Sequence, residues 1–113
     1  FQATMQKNGM HDHFGDEQLY ERLYQAQCVK DDTMAESIAQ YKERYPKHTI
    51  VHFNGDFHST RYLGTVERLK KRMPKLKIAV ISPVYAGAET QVKPREQADF
   101  IIELYQDEEE EIQ

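Results

Sequence analysis

Thr49-Ile50-Val51-His52-Phe53, followed by Asn54-Gly55-Asp56-Phe57-His58, is the stretch whose reading decides the fold. Five residues dominated by β-branched and aromatic side chains predict a short strand, and Asn54-Gly55 breaks it. Ser59 or Thr60 is placed to cap a helix running to about Arg72, with Tyr62, Val66 and Leu69 as its inner face. Pro74 ends that stretch. Lys77-Ile78-Ala79-Val80-Ile81 then reads as a second strand, apolar on both faces as a buried parallel strand is. Strand, helix and strand in this order make a βαβ crossover, which argues for an α/β fold with helices packed on a parallel sheet.

Upstream, Asp16 is a good N-cap, and a helical pattern runs from Glu17 to about Tyr45, where Pro46 stops it. Leu19, Leu23, Ala26, Met34, Ile38, Tyr41 and Tyr45 recur at steps near three to four and are expected on one buried face. The span is long for a globular helix, so a kink near Lys30–Thr33 is expected. Downstream, a loop with Pro83, Gly87 and Pro94 leads to Asp99–Leu104, a third strand. Residues 1–15 form an irregular lead-in and 106–113 a solvated acidic tail. A sheet of at least three strands is thin for an α/β domain. The chain also starts at Phe1 rather than Met, so residues 1–113 are expected to be the C-terminal part of a single domain whose first strands lie upstream.

Composition narrows the function. The 113 residues are 39% hydrophobic and carry a net charge of −4, and the 15 lysines and arginines form no long stripe. The densest basic cluster, Lys70-Lys71-Arg72, closes a helix and complements its dipole. Nucleic acid is therefore not an expected partner. Cys28 is the one cysteine, which excludes an intrachain disulfide, a CxxC zinc site and covalent CxxCH haem attachment. No apolar run is long enough to span a bilayer.

The residues that bear chemistry gather at the turn after the first strand. Ligands of open α/β sheets bind beyond the carboxyl ends of the strands. There Gly55 lets backbone approach a ligand, Asn54 and Asp56 add polar groups, and His58 adds an imidazole. Ser59 and Thr60 open the following helix, whose free N–H groups favour a carboxylate, a phosphate or a haem propionate. The simpler reading is that His58 only braces the turn. On the long helix, Gln27 and Asp31 fall at the edge of the apolar face, where a carboxylate needs a partner. They either reach the strand-end site and orient His58, or tie down a loop. His52 shares a strand face with Ile50 and Asn54 and is expected in the core. His11 and His13 are weak metal candidates. Tyr62, about one turn beyond His58, is a second candidate contact, because a phenolate is a hard ligand for ferric haem.

Two stretches resemble a known family. Ala26-Gln27, Asp31 and Met34-Ala35 are similar to its helix motif, and Asn54-Gly55-Asp56-Phe57-His58-Ser59 with Leu63-Gly64 to its strand–turn–helix motif. Ala98-Asp99-Phe100-Ile101-Ile102 fits its last strand. The family is the ChaN-like haem-uptake lipoproteins, within a superfamily that includes Tiki-type proteins and erythromycin esterases. The resemblance implies an α/β domain that binds b-type haem non-covalently at the bacterial cell envelope in iron uptake. It also implies a lipid anchor outside this chain and a site drawing on His58, Tyr62, Asp31, Gln27, Asn54 and Gly55. The family's N-terminal Gly-Glu-x-His motif has no counterpart here, and Gly9-Met10-His11 does not follow a strand. A metal-dependent hydrolase of the wider superfamily and an inactive structural fragment are the alternatives. Unpaired strands are expected to favour self-association.

Overall fold

The computed structural model describes residues 14–87 and 93–106. His11, His13, most of the lead-in and the acidic tail lie outside them. The described elements are α1 (Phe14–Arg44), two 3-10 turns (Asp56–His58 and Thr60–Tyr62), α2 (Thr65–Arg72), β1 (Ile81–Tyr85), α3 (Pro94–Gln97) and β2 (Phe100–Leu104). β1 and β2 pair in parallel, with Ile81 opposite Phe100 and Tyr85 opposite Leu104. The fold is thus α/β as expected, with two described strands rather than three.

α1 runs unbroken through Lys30–Thr33, where a kink was expected. The Thr33 hydroxyl donates to the Val29 carbonyl at 2.7 Å within that segment and leaves the helix ladder intact. Asp16 and Glu17 lie in the first turn, where acidic groups complement the helix dipole, so Asp16 is not the cap. The buried face also differs from the expected one. Leu19, Leu23, Tyr41 and Tyr45 are exposed, while Tyr20, Tyr24, Gln27, Asp31, Ala35, Ile38 and Ala39 turn inward. In its first half, α1 is rotated by about one residue, about 100°, which puts polar groups rather than leucines against the rest of the chain.

α2 is the middle layer. Leu69 packs with Ala35 and Ala39 of α1, joined by Ile38, Met73, Leu76 and Ile78. Val66 packs with Val80 and Ala98 on the sheet side, joined by Tyr62, Ile78 and Ile101. Three of the six buried apolar residues among those described are alanines, so the core is shallow. At the rim, the Arg72 guanidinium meets the Asp32 carboxylate at 3.1 Å. This surface pair adds at most about 1 kcal/mol.

Thr49–Phe53 is not a strand in the structure, contrary to the expectation from its β-branched and aromatic residues. Its residues take part in none of the described turn and loop backbone hydrogen bonds or strand pairings. Val51 is 75% exposed and Phe53 89%, and His52 is exposed rather than in the core. A β-strand is defined by a partner for its N–H and C=O groups, and among the described residues none lies beside this segment. The second strand is displaced for a related reason. Asp99 caps the ladder, its carboxylate accepting the Val80 N–H at 2.7 Å while Val80 O accepts the N–H groups of Asp99 and Phe100. Pairing therefore begins at Ile81 rather than Lys77.

The helix expected from Ser59 or Thr60 starts instead at Thr65, behind Gly64. Arg61 and Tyr62 both have φ of 60°, so the chain cannot continue as a right-handed helix through them. Gly64 is required on two counts. Its φ is +56°, and a Cβ there would lie 2.5 Å from the His58 carbonyl oxygen. Gly87 has φ of +79° with open space around it. Gly64→Ala should therefore lower the free energy of unfolding by about 3 kcal/mol, from backbone strain plus the clash, and Gly87→Ala by only about 1 kcal/mol. Equal midpoints for the two variants in urea titrations would contradict this packing.

Candidate functional site

The centre of the site is a pair of side chains from α1 and the first 3-10 turn. Asp31 is 7% exposed and His58 9%. His58 Nδ1 lies 2.6 Å from Asp31 Oδ1. A carboxylate only accepts, so Nδ1–H donates, and the neutral ring keeps its lone pair on Nε2. The Thr65 hydroxyl, at the start of α2, donates to the same Oδ1 at 3.1 Å. Asp31 thus joins α1, the turn and α2 at one point. Of the two readings of Asp31, orienting His58 is the one realised, and the tie to Thr65 accompanies it.

Nε2 has no hydrogen-bond partner among the described residues, and the imidazole lines an open groove of about 360 Å³. Val29, Lys30, Thr33 and Met34 of α1 form one wall, with Phe53, Asn54 and Gly55 opposite. That volume lies within the range of small-molecule sites, about 300–1,000 Å³. Gly55 has φ −63° and ψ 141°, ordinary for any residue, so the turn itself does not require glycine. A Cβ there would sit 3.6 Å from His58 Cδ2, beside the free nitrogen. Glycine at this position keeps the approach to the imidazole clear. The Asn54 side-chain Oδ1 accepts from the Ser59 hydroxyl at 3.3 Å, while its buried Nδ2 has no partner. The Phe57 ring lies against His58, tilted by 33° with ring centres 4.1 Å apart.

The other expected residues are placed differently. Gln27 sits one turn before Asp31, with its side-chain oxygen buried and unpartnered, and it does not line the groove. Tyr62 lines a separate groove with Pro94, Arg95, Ala98, Asp99 and Ile101. Burial, then the neighbouring Asp99 carboxylate, push its phenol above the ordinary tyrosine value. Ser59 and Thr60 open only a three-residue 3-10 turn, and the α-helix starts at Thr65, so the anion site expected at an α-helix start there is not built. Sequence reading missed Thr65, which donates to Asp31, and Val29, Lys30 and Phe53, which form the groove. Their exposure gave no signal, because the buried face of α1 was assigned one residue away. Among the described residues, no three of His, Cys, Asp and Glu gather to hold a metal ion.

Residues 1–69 match the family described as haem-binding uptake, Tiki superfamily, ChaN. The chain belongs to this family. The match contains Asp31, His58 and every groove residue, and it ends inside α2, before the sheet. No curated protein and no solved structure matches the chain. No helix among the described residues is long and apolar enough to cross a membrane.

The arrangement makes a direct statement about stability. Removing the Asp31 carboxylate orphans a buried imidazole N–H and a buried hydroxyl together. Asp31→Ala should lower the free energy of unfolding by about 3 kcal/mol. Asp32→Ala, which breaks only the surface contact with Arg72, should cost less than about 1 kcal/mol. Thermal denaturation of the two variants side by side checks this, and matching Tm values would refute it.

Proposed function

We propose that the chain contributes a non-covalent binding site for haem, with the groove beside His58 as the contact surface. The observation that carries this reading is the imidazole itself. Asp31 fixes its tautomer and orientation, and Nε2 is left bare on an apolar groove in a member of a haem-binding uptake family. A histidine whose second nitrogen is held by a carboxylate is the usual arrangement for a metal-ligating imidazole, since the carboxylate raises ligand basicity. When bound, haem would supply the iron and a flat apolar macrocycle.

The residues present fit that group. Val29, Met34 and Phe53 offer apolar contact, and Phe53 is almost wholly uncovered without it. Lys30 is a donor on the same groove for a carboxylate. Asp31 holds the proton on Nδ1, and Thr65 shares its charge. Tyr62 lies in the other groove with a phenol that resists ionisation, so it is the poorer ligand candidate. The family's description as haem-binding uptake supports placing this step at the bacterial cell envelope in iron acquisition, with any lipid anchor supplied outside these residues.

The test is titration of ferric haem followed by its Soret band. His58→Ala should weaken binding at least about tenfold, equivalent to about 1.4 kcal/mol, or alter the spectrum. Tyr62→Phe should leave affinity within about twofold, well under 1.4 kcal/mol. Because His58→Ala also orphans Asp31, Gly55→Val is the cleaner probe: its backbone geometry suits valine, and the added methyls crowd Nε2. It should lose affinity with the Tm unchanged. A wild-type chain that shows no Soret shift, yet carries stoichiometric zinc or manganese, would overturn the reading in favour of a metal-dependent hydrolase built on the same His–Asp pair.

A further inference from the structure

Charge is spread unevenly over this chain. Residues 41–48 and 70–77 carry eight lysines and arginines against one acidic residue, Glu43, while the other 97 residues carry seven against 18. The two basic runs are separated in sequence, and the fold joins them. Asp31 reaches Thr65, and further along Ala35 and Ala39 pack with Leu69, Met73 and Leu76. Contacts thus advance together along α1 and α2, so the helices run parallel. Their last residues, Arg44 and Arg72, lie only about 8 and 5 Å beyond the Ala39–Leu69 contact at 1.5 Å per residue. Both runs therefore meet at one end of the molecule.

Little of this charge is neutralised within the chain. Two helix C-termini account for about half a negative charge each. Arg72 pairs with Asp32 at 3.1 Å and Lys71 with Glu67 at 3.9 Å. The side chains of Lys47, Lys75 and Lys77 are exposed and have no hydrogen bond or ion pair among the described residues. We propose that this end docks on an anionic lipid surface. Residue type favours lipid over nucleic acid. Six of the eight cations are lysines, flexible point charges suited to a diffuse layer of headgroups. The two arginines, which would read phosphates bidentately, are engaged, Arg72 with Asp32 and Arg44 over the Tyr45 ring. Aromatic residues favour lipid as well. Tyr41 and Tyr45 are 45% and 38% exposed beside these cations, and such rings settle at the headgroup level of a membrane. His48 braces both, stacked on Tyr45 with ring centres 4.9 Å apart and with Nδ1 2.9 Å from the Tyr41 hydroxyl. A planar surface also meets this end alone. The acidic remainder is screened beyond about 8 Å at physiological ionic strength, whereas a polyanion that wraps the chain would meet it.

Co-sedimentation of the whole 113-residue chain, without haem, with extruded vesicles gives the direct test. The chain should bind vesicles of equimolar phosphatidylcholine and phosphatidylglycerol, and not phosphatidylcholine alone. Raising the ionic strength from about 0.1 M to about 1 M shortens the screening length from about 10 to about 3 Å and should release it. Lys47→Gln, Lys75→Gln and Lys77→Gln combined should lower the partition coefficient about a hundredfold, about fivefold for each charge. Arg22→Gln, Lys93→Gln and Arg95→Gln combined remove the same charge elsewhere and should lower it less than about threefold. Both triple variants should keep the wild-type circular dichroism and Tm, because none of the six side chains makes a hydrogen bond or ion pair among the described residues. Absence of binding to the anionic vesicles would overturn the proposal. Binding that persists on phosphatidylcholine alone or at high salt would overturn it in favour of an apolar contact. Equal losses in the two triple variants would show net charge at work rather than this end. Tighter binding to duplex DNA than to anionic vesicles at the same salt would assign the end to nucleic acid instead.

Discussion

Asp31 and His58 stand 27 positions apart in sequence and 2.6 Å apart in space, and three elements take their places from that contact. A buried carboxylate must find donors, and Asp31 finds one on the 3-10 turn and one on α2. Satisfying both sets the rotation of α1 about its axis. Leu19 and Leu23, which an amphipathic reading buries, are carried outward, and Ala35 and Ala39 are carried in against Leu69. The small residues are a consequence of the approach. A helix held by a short polar side chain comes close to its neighbour, and larger side chains at 35 and 39 would push it away. Gly64 meets the same constraint from the other side. Its missing Cβ leaves room for the His58 carbonyl and for Asp31 Oδ2, 3.1 Å from where that Cβ would be.

Much of this was legible in the sequence, and the failures share one cause. The long helix, the inner residues Val66 and Leu69, the last strand and the partnership of Asp31 with a loop histidine follow from period, turn chemistry and the cost of an unpaired carboxylate. The errors arise where local pattern competes with a tertiary tie or lacks a tertiary partner. Periodicity counted leucines and tyrosines on α1 and so misplaced its buried face, because one satisfied carboxylate outweighs several half-buried apolar side chains. Strand propensity at Thr49–Phe53 was real, but a strand is a relation between two segments. The two left-handed residues at 61 and 62 carry no sequence sign at all, since neither arginine nor tyrosine favours that region.

The same reasoning explains why the site is open. Phe53 follows the unpaired segment, so its ring stands away from the core and forms the far wall of the groove. The groove is thus bounded on one side by a rigid helix, fixed through Asp31, and on the other by chain without a backbone ladder. The imidazole on the groove stays where α1 and α2 hold it, through Asp31.

The contrast between His58 and Tyr62 shows how a carboxylate neighbour acts differently on two kinds of side chain. Both are side chains of the same loop with a carboxylate neighbour. The carboxylate at His58 accepts a hydrogen bond from Nδ1–H and leaves the opposite nitrogen without a partner among the described residues, an arrangement that in general raises the basicity of an imidazole. The carboxylate at Tyr62 acts on the one oxygen that would bind metal. Together with burial, it keeps that oxygen protonated, since ionisation would set two negative charges side by side. The Tyr62 ring also lies under the Lys70 ammonium at 4.9 Å and against the core cluster at Val66. Geometry as well as residue type decides what an acidic neighbour does: it leaves one nitrogen of a side chain with two polar termini unengaged and acts directly on the single oxygen of a side chain with one.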